Sequence, residues 1–170
     1  MIDEPFSRRS FLAMTAAAAG AALVPGPLAA VAPAAAAAAA AAGLPPTLSM
    51  RGGSNNYRRN APMVERLGSG FFVRGRVLRA GEGAPLKGVR IQIWAATVLG
   101  GEPDPVNHGS VLTRADGSFE LEMAQVVPNF GQPHAHLAYD DGAFQTVFLR
   151  PVMPSARDTS VSADFVLAPA

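Results

Sequence analysis

The chain has no cysteine and only three histidines, two tyrosines and one tryptophan in 170 residues. Without thiols there is no disulfide framework and no thiolate ligand. Stability must come from the core, and any metal site must use nitrogen and oxygen donors. Charge is also sparse: charged residues make up 16% of the chain and the net charge is +1. Removing the N-terminal Asp3, Glu4, Arg8 and Arg9 leaves that balance unchanged. Basic residues are spread out, and no aromatic–basic alternation marks a base-stacking surface. These features argue against a nucleic acid or an anionic membrane as partner.

Long apolar runs are confined to the N-terminal region. Ser7-Arg8-Arg9-Ser10-Phe11-Leu12 precedes an apolar segment from Ala13 to Val24, and an alanine-rich stretch follows. Paired arginines in register before Phe-Leu have the layout of a twin-arginine export signal. The segment is Ala- and Gly-rich and is broken by Pro25 and Pro27, so it predicts no stable membrane span. Several Ala-x-Ala sites between Ala29 and Ala42 are available for cleavage. Residues 1–43 are therefore read as a leader. The protein is expected to meet the Tat export machinery and to work in the periplasm or outside the cell. That route carries folded proteins, which suits a cofactor loaded before export.

The remaining residues, roughly 127 in number, suit one domain with a single core. Residues 44–68 read as an N-terminal arm and residues 69–170 as the domain proper. No stretch there keeps a 3.6-residue period over two turns. Apolar residues alternate instead, in Phe71–Leu78, in Val89–Ala95 and in Ser118–Met123. In the second, Val89, Ile91 and Ile93 share one face and Arg90, Gln92 and Trp94 the other. Ala115-Asp116-Gly117 and Asp140-Asp141-Gly142 are hairpin turns with a glycine free to take positive φ. Short strands are expected at Ser110–Thr113, around His134–Tyr139, at Phe144–Leu149 and as one closing strand near Ser160–Leu167. The fold class is all-β, an antiparallel β-sandwich of seven or eight strands.

Two of the three histidines stand together, in Gln132-Pro133-His134-Ala135-His136. In an extended strand, positions i and i+2 put both imidazoles on one face about 7 Å apart, where they can converge on one metal ion. The alternative is a half-buried strand whose histidines bond neighbouring backbone. His108, in the connection after Trp94, is either a turn residue or a further donor. Tyr139 is three residues past His136 and points to the opposite face of a regular strand. Tyr57 is thus the tyrosine better placed to approach a pocket, or else it anchors the arm.

Taken in order, several segments resemble the intradiol ring-cleavage dioxygenases, the family of the protocatechuate and catechol dioxygenases. They are Asn56–Met63, Phe72–Leu78, Pro85–Trp94, Leu112–Phe119 and Pro133–His136, and the resemblance spans residues 55–152. It implies a β-sandwich and O2-dependent cleavage of a catechol at a ferric ion held by two tyrosines and two histidines. His134 and His136 match the histidine pair. Glu102 falls where the first tyrosine is expected and Val127 where the second is expected. Gln132 stands where the family places an arginine and would orient the substrate.

Without tyrosinates the ferric state loses its hard anionic partners. His134, His136 and Glu102 would then form a two-histidine, one-carboxylate set, the donor combination of non-haem Fe(II) oxygenases and suited to other divalent metals. His108 could replace or supplement Glu102, and Glu102 itself could instead be a solvated loop carboxylate. The resemblance implies non-haem iron, a small aromatic substrate with O2, a role in aromatic catabolism, and assembly into homo-oligomers. A metal-binding sandwich without ring cleavage and a transthyretin-like structural module are the alternatives.

Overall fold

Period-two patterning yields, among the described residues, a fold built of strands with one 3₁₀ turn at Pro105–Asn107. The computed structural model describes residues 43–170. The expected twin-arginine leader, apart from Gly43, lies outside them. Among the described residues no helix is long and apolar enough to cross a membrane. The strands are β1 (Arg66–Leu67), β2 (Gly70–Arg79), β3 (Arg90–Ala95), β4 (His108–Leu112), β5 (Ser118–Ala124), β6 (Ala135–Tyr139), β7 (Val147–Leu149), β8 (Ser160–Ser162) and β9 (Phe165–Leu167).

Two sheets form the expected sandwich. One has the order β1-β5-β2-β8, with β9 also on β2, and the other the order β4-β3-β6-β7. Antiparallel pairs build the centre, such as Val73↔Leu121 between β2 and β5 and Ile93↔Leu137 between β3 and β6. At the periphery, β1 on β5 and β8 and β9 on β2 run parallel. Alternation then sends Phe71, Val73, Val77, Phe119, Leu121, Met123, Phe165 and Leu167 inward from the first sheet. Ile91, Ile93, Leu137, Tyr139 and Leu149 meet them from the second. Each such side chain contributes about 1.5–3 kcal/mol on full burial, so the core alone explains how a cysteine-free chain holds together.

Strand β4, expected at Ser110–Thr113, starts earlier, at His108, and two later strands are shorter than expected. The closing strand over 160–167 is broken because the Asp164 carboxylate accepts the Arg76 N–H at 2.7 Å, the donor that a continuous ladder would use. The strand over 144–149 begins only at Val147: the Phe144 N–H donates to the Tyr139 hydroxyl (3.0 Å) and the Gln145 N–H to the Ala168 carbonyl (2.9 Å). The Ala115–Gly117 turn forms as expected, with Gly117 at φ 75° and its N–H on the Arg114 carbonyl at 3.0 Å.

The outer face of β3 is covered too. Gln92 and Trp94 are both about 1% exposed, because the arm before β1 lies across them. The Met50 N–H donates to the Phe148 carbonyl (2.7 Å), Met63 bridges Ser110, and Ser110 Oγ donates to the Ala61 carbonyl (2.7 Å). The arm thus buries a row of polar side chains that the sheet alone would leave in water.

Candidate metal centre

Register across three adjacent strands builds the site. Trp94 on β3 pairs with His108 on β4 and with His136 on β6, so the three rings stand in one row on one face. The indole lies between the imidazoles, with ring centroids 5.8 Å from His108 and 5.1 Å from His136 and interplanar angles of 7° and 9°. Its N–H donates to the Asn55 carbonyl at 2.9 Å. His134 shares the face of His136 through the i, i+2 spacing, and their ring centroids are 5.0 Å apart.

The third member comes from the loop after β3, which buried Asn107 staples. Its amide donates to the Gly100 and Gly101 carbonyls (2.8 and 2.9 Å), and its Oδ1 accepts from Thr97 Oγ1 at 2.8 Å. His108 Nε2 lies 2.6 Å from the Glu102 carbonyl oxygen and Arg58 Nη2 2.7 Å from that of Pro103. The loop so held turns Glu102 inward, where it is 4% exposed, which removes the reading of Glu102 as a solvated carboxylate.

Glu102 Oε1 lies 2.8 Å from His134 Nε2 and 3.4 Å from His136 Nε2. Candidate ligand atoms of Glu102, His134 and His136 all fall within 4.8 Å of one another, and all three residues are buried. Neither Glu102 Oε1 nor His136 Nε2 has a hydrogen-bond partner. Buried polar atoms are seldom left so, and two unsatisfied acceptor sites facing each other are what a cation resolves. The donor set fits a divalent metal.

The hydrogen bonds around the triad prepare it for that task. His134 Nδ1 lies 2.8 Å from the Gln132 carbonyl and His136 Nδ1 3.0 Å from that of Gly53. Each carbonyl accepts only a protonated Nδ1, and in a neutral ring that leaves Nε2 as the bare lone pair. Burial lowers the pKa of His136, outweighing the Gly53 carbonyl and Glu102, so the ring stays neutral. For Glu102, burial opposes ionisation. Hydrogen bonds from Asn129 and Asn56 outweigh it and hold the carboxyl below its ordinary range. The Asn56 amide sits 2.7 Å from Oε2.

Glu102 and His134 face a cavity of about 340 Å³ that Asn55, Asn56, Asn129, Phe130 and Arg150 also line, at the small end of ligand sites; His136 lies buried behind them. Arg150 Nη2 lies 3.3 Å from His134 Nδ1. Phe130 is 99% exposed at the rim with φ 48°, a left-handed conformation that a bulky residue seldom adopts.

Of the residues singled out from sequence, Glu102, His134 and His136 are brought together and three are not. His108 is separated from the triad by Trp94, and its Nε2 is occupied by the Glu102 backbone. Gln132 is exposed and serves the site through its carbonyl. Tyr57 does not line the cavity. Its ring packs on Trp94 and Phe148, and its hydroxyl donates to Asp140 and accepts from Gln92 Nε2 (2.9 Å). Burial, reinforced by Asp140, pushes its pKa up to about 12, the reverse of a tyrosinate ligand. Tyr139 lies in the core, on the face away from the histidines. Asn56, Asn107, Asn129, Gly53 and Arg150 were not legible as site residues.

No protein-family model and no curated protein matches the chain. Solved structures do. The 3-chlorocatechol 1,2-dioxygenase of Rhodococcus opacus 1CP is similar at TM-score 0.55 and 18% identity, over 81% of this chain and 77% of that one. The dioxygenase domain of a dioxygenase carbohydrate-binding protein fusion from Streptomyces sp. SirexAA-E gives 0.54 and 23%, over 74% and 99%. The hydroxyquinol 1,2-dioxygenase of Pseudomonas putida DLL-E4 gives 0.53 and 16%, over 75% and 68%. The chain therefore has the intradiol dioxygenase-like fold.

Proposed function

We propose that this protein is a non-haem iron oxygenase that holds its metal through Glu102, His134 and His136 and acts on a small catechol-type aromatic diol with O2. The observation that carries this reading is the convergence of one carboxylate and two imidazoles, each with its Nδ1 against a carbonyl, on a buried point where Glu102 Oε1 and His136 Nε2 have no hydrogen-bond partner. Two neutral nitrogens and one carboxylate suit the ferrous state. The dioxygenases of the same fold support the reaction class. Bound there, iron supplies the Lewis acidity and one-electron chemistry that O2 and a diol require.

The chain's own residues supply the rest. Arg150 puts a fixed positive charge at the cavity wall, where it offsets the charge of a diol that has lost a proton. Asn55, Asn56 and Asn129 offer amide groups to hydroxyls, and Phe130 offers a ring face at the mouth. Asn56 and Asn129 also keep Glu102 ionised. The arginine pair Arg8-Arg9 supports export of the folded protein to the periplasm or beyond. Replacing both by lysine should leave it in the cytoplasm, and unaltered export of that variant contradicts the assignment.

Oxygen uptake tests the reaction. Protein loaded with ferrous iron, given catechol, protocatechuate or hydroxyquinol, should consume O2 in proportion to diol lost. A His134→Ala, His136→Ala variant should not. Iron-loaded protein that consumes no O2 with any diol overturns the oxygenase reading. The remaining reading would be a metal-holding sandwich, which the missing tyrosinate ligands favour.

A further inference from the structure

The residues around the triad come unequally from the fold. The ligands sit on β6, on the residue just before it and on the loop after β3, yet much of what orients them lies in five residues of the arm. Gly53 supplies the carbonyl that fixes the His136 tautomer (3.0 Å). Asn55 supplies the carbonyl that holds the Trp94 indole (2.9 Å), on which the His136 ring stacks. Asn56 supplies the amide on Glu102 Oε2 (2.7 Å). Tyr57 ends the run, with its hydroxyl on Asp140, at the end of β6, and on Gln92 of β3. Gln92 Nε2 also reaches Asp140 Oδ1 at 2.6 Å, and Gln92 Oε1 accepts the Ala61 N–H at 3.0 Å.

Close packing fixes where this run lies. A Cβ at Gly53 would stand 2.8 Å from the Phe148 carbonyl oxygen, so only glycine lets the arm approach β7 closely enough to reach His136. Farther along, Arg58 and Arg59 are exposed, and Arg59 Nε is 3.7 Å from Asp140 Oδ2. The arm is thus held by a small set of polar contacts over buried ligands, not by a continuous ladder.

We infer that residues 53–57 are a clasp that assembles the metal site, with Gly53 and Asn56 as positioning residues and the Tyr57–Asp140 hydrogen bond as its pin. This rests on the reading of Glu102, His134 and His136 as metal ligands. Docking of the arm sets the His136 tautomer and the Glu102 carboxylate, and both are wasted unless a cation joins them. Metal binding and arm docking are then coupled, and the coupling is reciprocal.

Cobalt(II) titration and trypsin test this on the full chain. The wild type should bind one cobalt. Tyr57→Phe keeps the ring on Trp94 and Phe148 and removes only the hydroxyl. It should weaken cobalt about tenfold, in the range for partners of metal ligands, as should Asn56→Ala. Asp140→Ala should weaken cobalt by the same factor, with no added loss in the Tyr57→Phe, Asp140→Ala double variant. Asp140→Asn, which keeps an oxygen acceptor for the hydroxyl, should restore affinity. Without any variant, saturating cobalt should slow tryptic cleavage after Arg58 and Arg59 about tenfold, because cleavage follows the population of the open arm. If the wild type takes up no cobalt, the ligand assignment falls and the clasp with it. If the wild type binds cobalt, but the variants bind equally well and cleavage is unprotected, the clasp alone is overturned.

Discussion

Replacing Glu102 by glutamine separates a ligand from a structural ion pair, because the two roles predict different outcomes in the metal-free protein. Glu102 Oε1 faces two imidazole nitrogens, and the Nδ1 of each ring lies against a carbonyl, so in the neutral rings that a metal ligand requires the facing lone pairs carry no proton. Without metal, that is acceptor against acceptor. A glutamine amide there gains a donor toward His136 Nε2, an atom with no partner. One new hydrogen bond is worth about 1 kcal/mol and offsets the weakening of the bonds that Asn56 and Asn129 make to the ionised carboxylate, so metal-free Glu102→Gln should melt close to the wild type.

With metal the two proteins separate. A divalent ion at a hundred times its Kd should stabilise the wild type by about 2.7 kcal/mol, or roughly 10 °C, and glutamine should remove most of that gain. Differential scanning fluorimetry with and without zinc or cobalt reads both effects in one plate. A Glu102→Gln protein that melts several degrees below the wild type without metal, yet keeps the full metal-induced shift, would refute the reasoning. Glu102 would then be the partner of a protonated histidine.

Acid should destabilise the metal-free protein from an unusually high pH. Burial depresses the pKa of both His108 and His136, so below about pH 6.5 the unfolded chain binds protons that the folded one refuses. Stability present above that value is lost as pH falls, and Glu102, also depressed, extends the loss below its ordinary value of 4.5. A melting temperature that stays flat between pH 7.5 and pH 5 would contradict this. Phe130→Ala removes an exposed rim aromatic, so it should leave the melting temperature unchanged. It should raise the KM for a diol roughly two- to tenfold, the value of an aromatic contact of about 0.5–1.5 kcal/mol; an unchanged KM would remove Phe130 from the substrate's path.

The legible parts of this protein are those written at short range. Strand β2, strand β3 and the Asp116-Gly117 turn announce themselves through alternation and glycine placement, and the histidine pair through its i, i+2 spacing. The single closing strand over 160–167 was misleading because an aspartate side chain, rather than a turn residue, interrupts it. Glu102 could be found only by counting through a loop against a resembled family, since nothing local distinguishes a buried loop carboxylate from a solvated one. Gly53, Asn56, Asn129 and Arg150 reach the site from three separated connections, which no periodicity links. Tyr57 lies near the site through Trp94, but it serves the arm instead of the cavity.

The central claim is a metal held by one carboxylate and two histidines with no tyrosinate. Elemental analysis and the visible spectrum of the same iron-reconstituted sample test it together. The account predicts one iron per chain, lost in the His134→Ala, His136→Ala variant, and no intense tyrosinate-to-iron absorption in the visible. Absence of bound metal after reconstitution, or a deep tyrosinate colour, would contradict it.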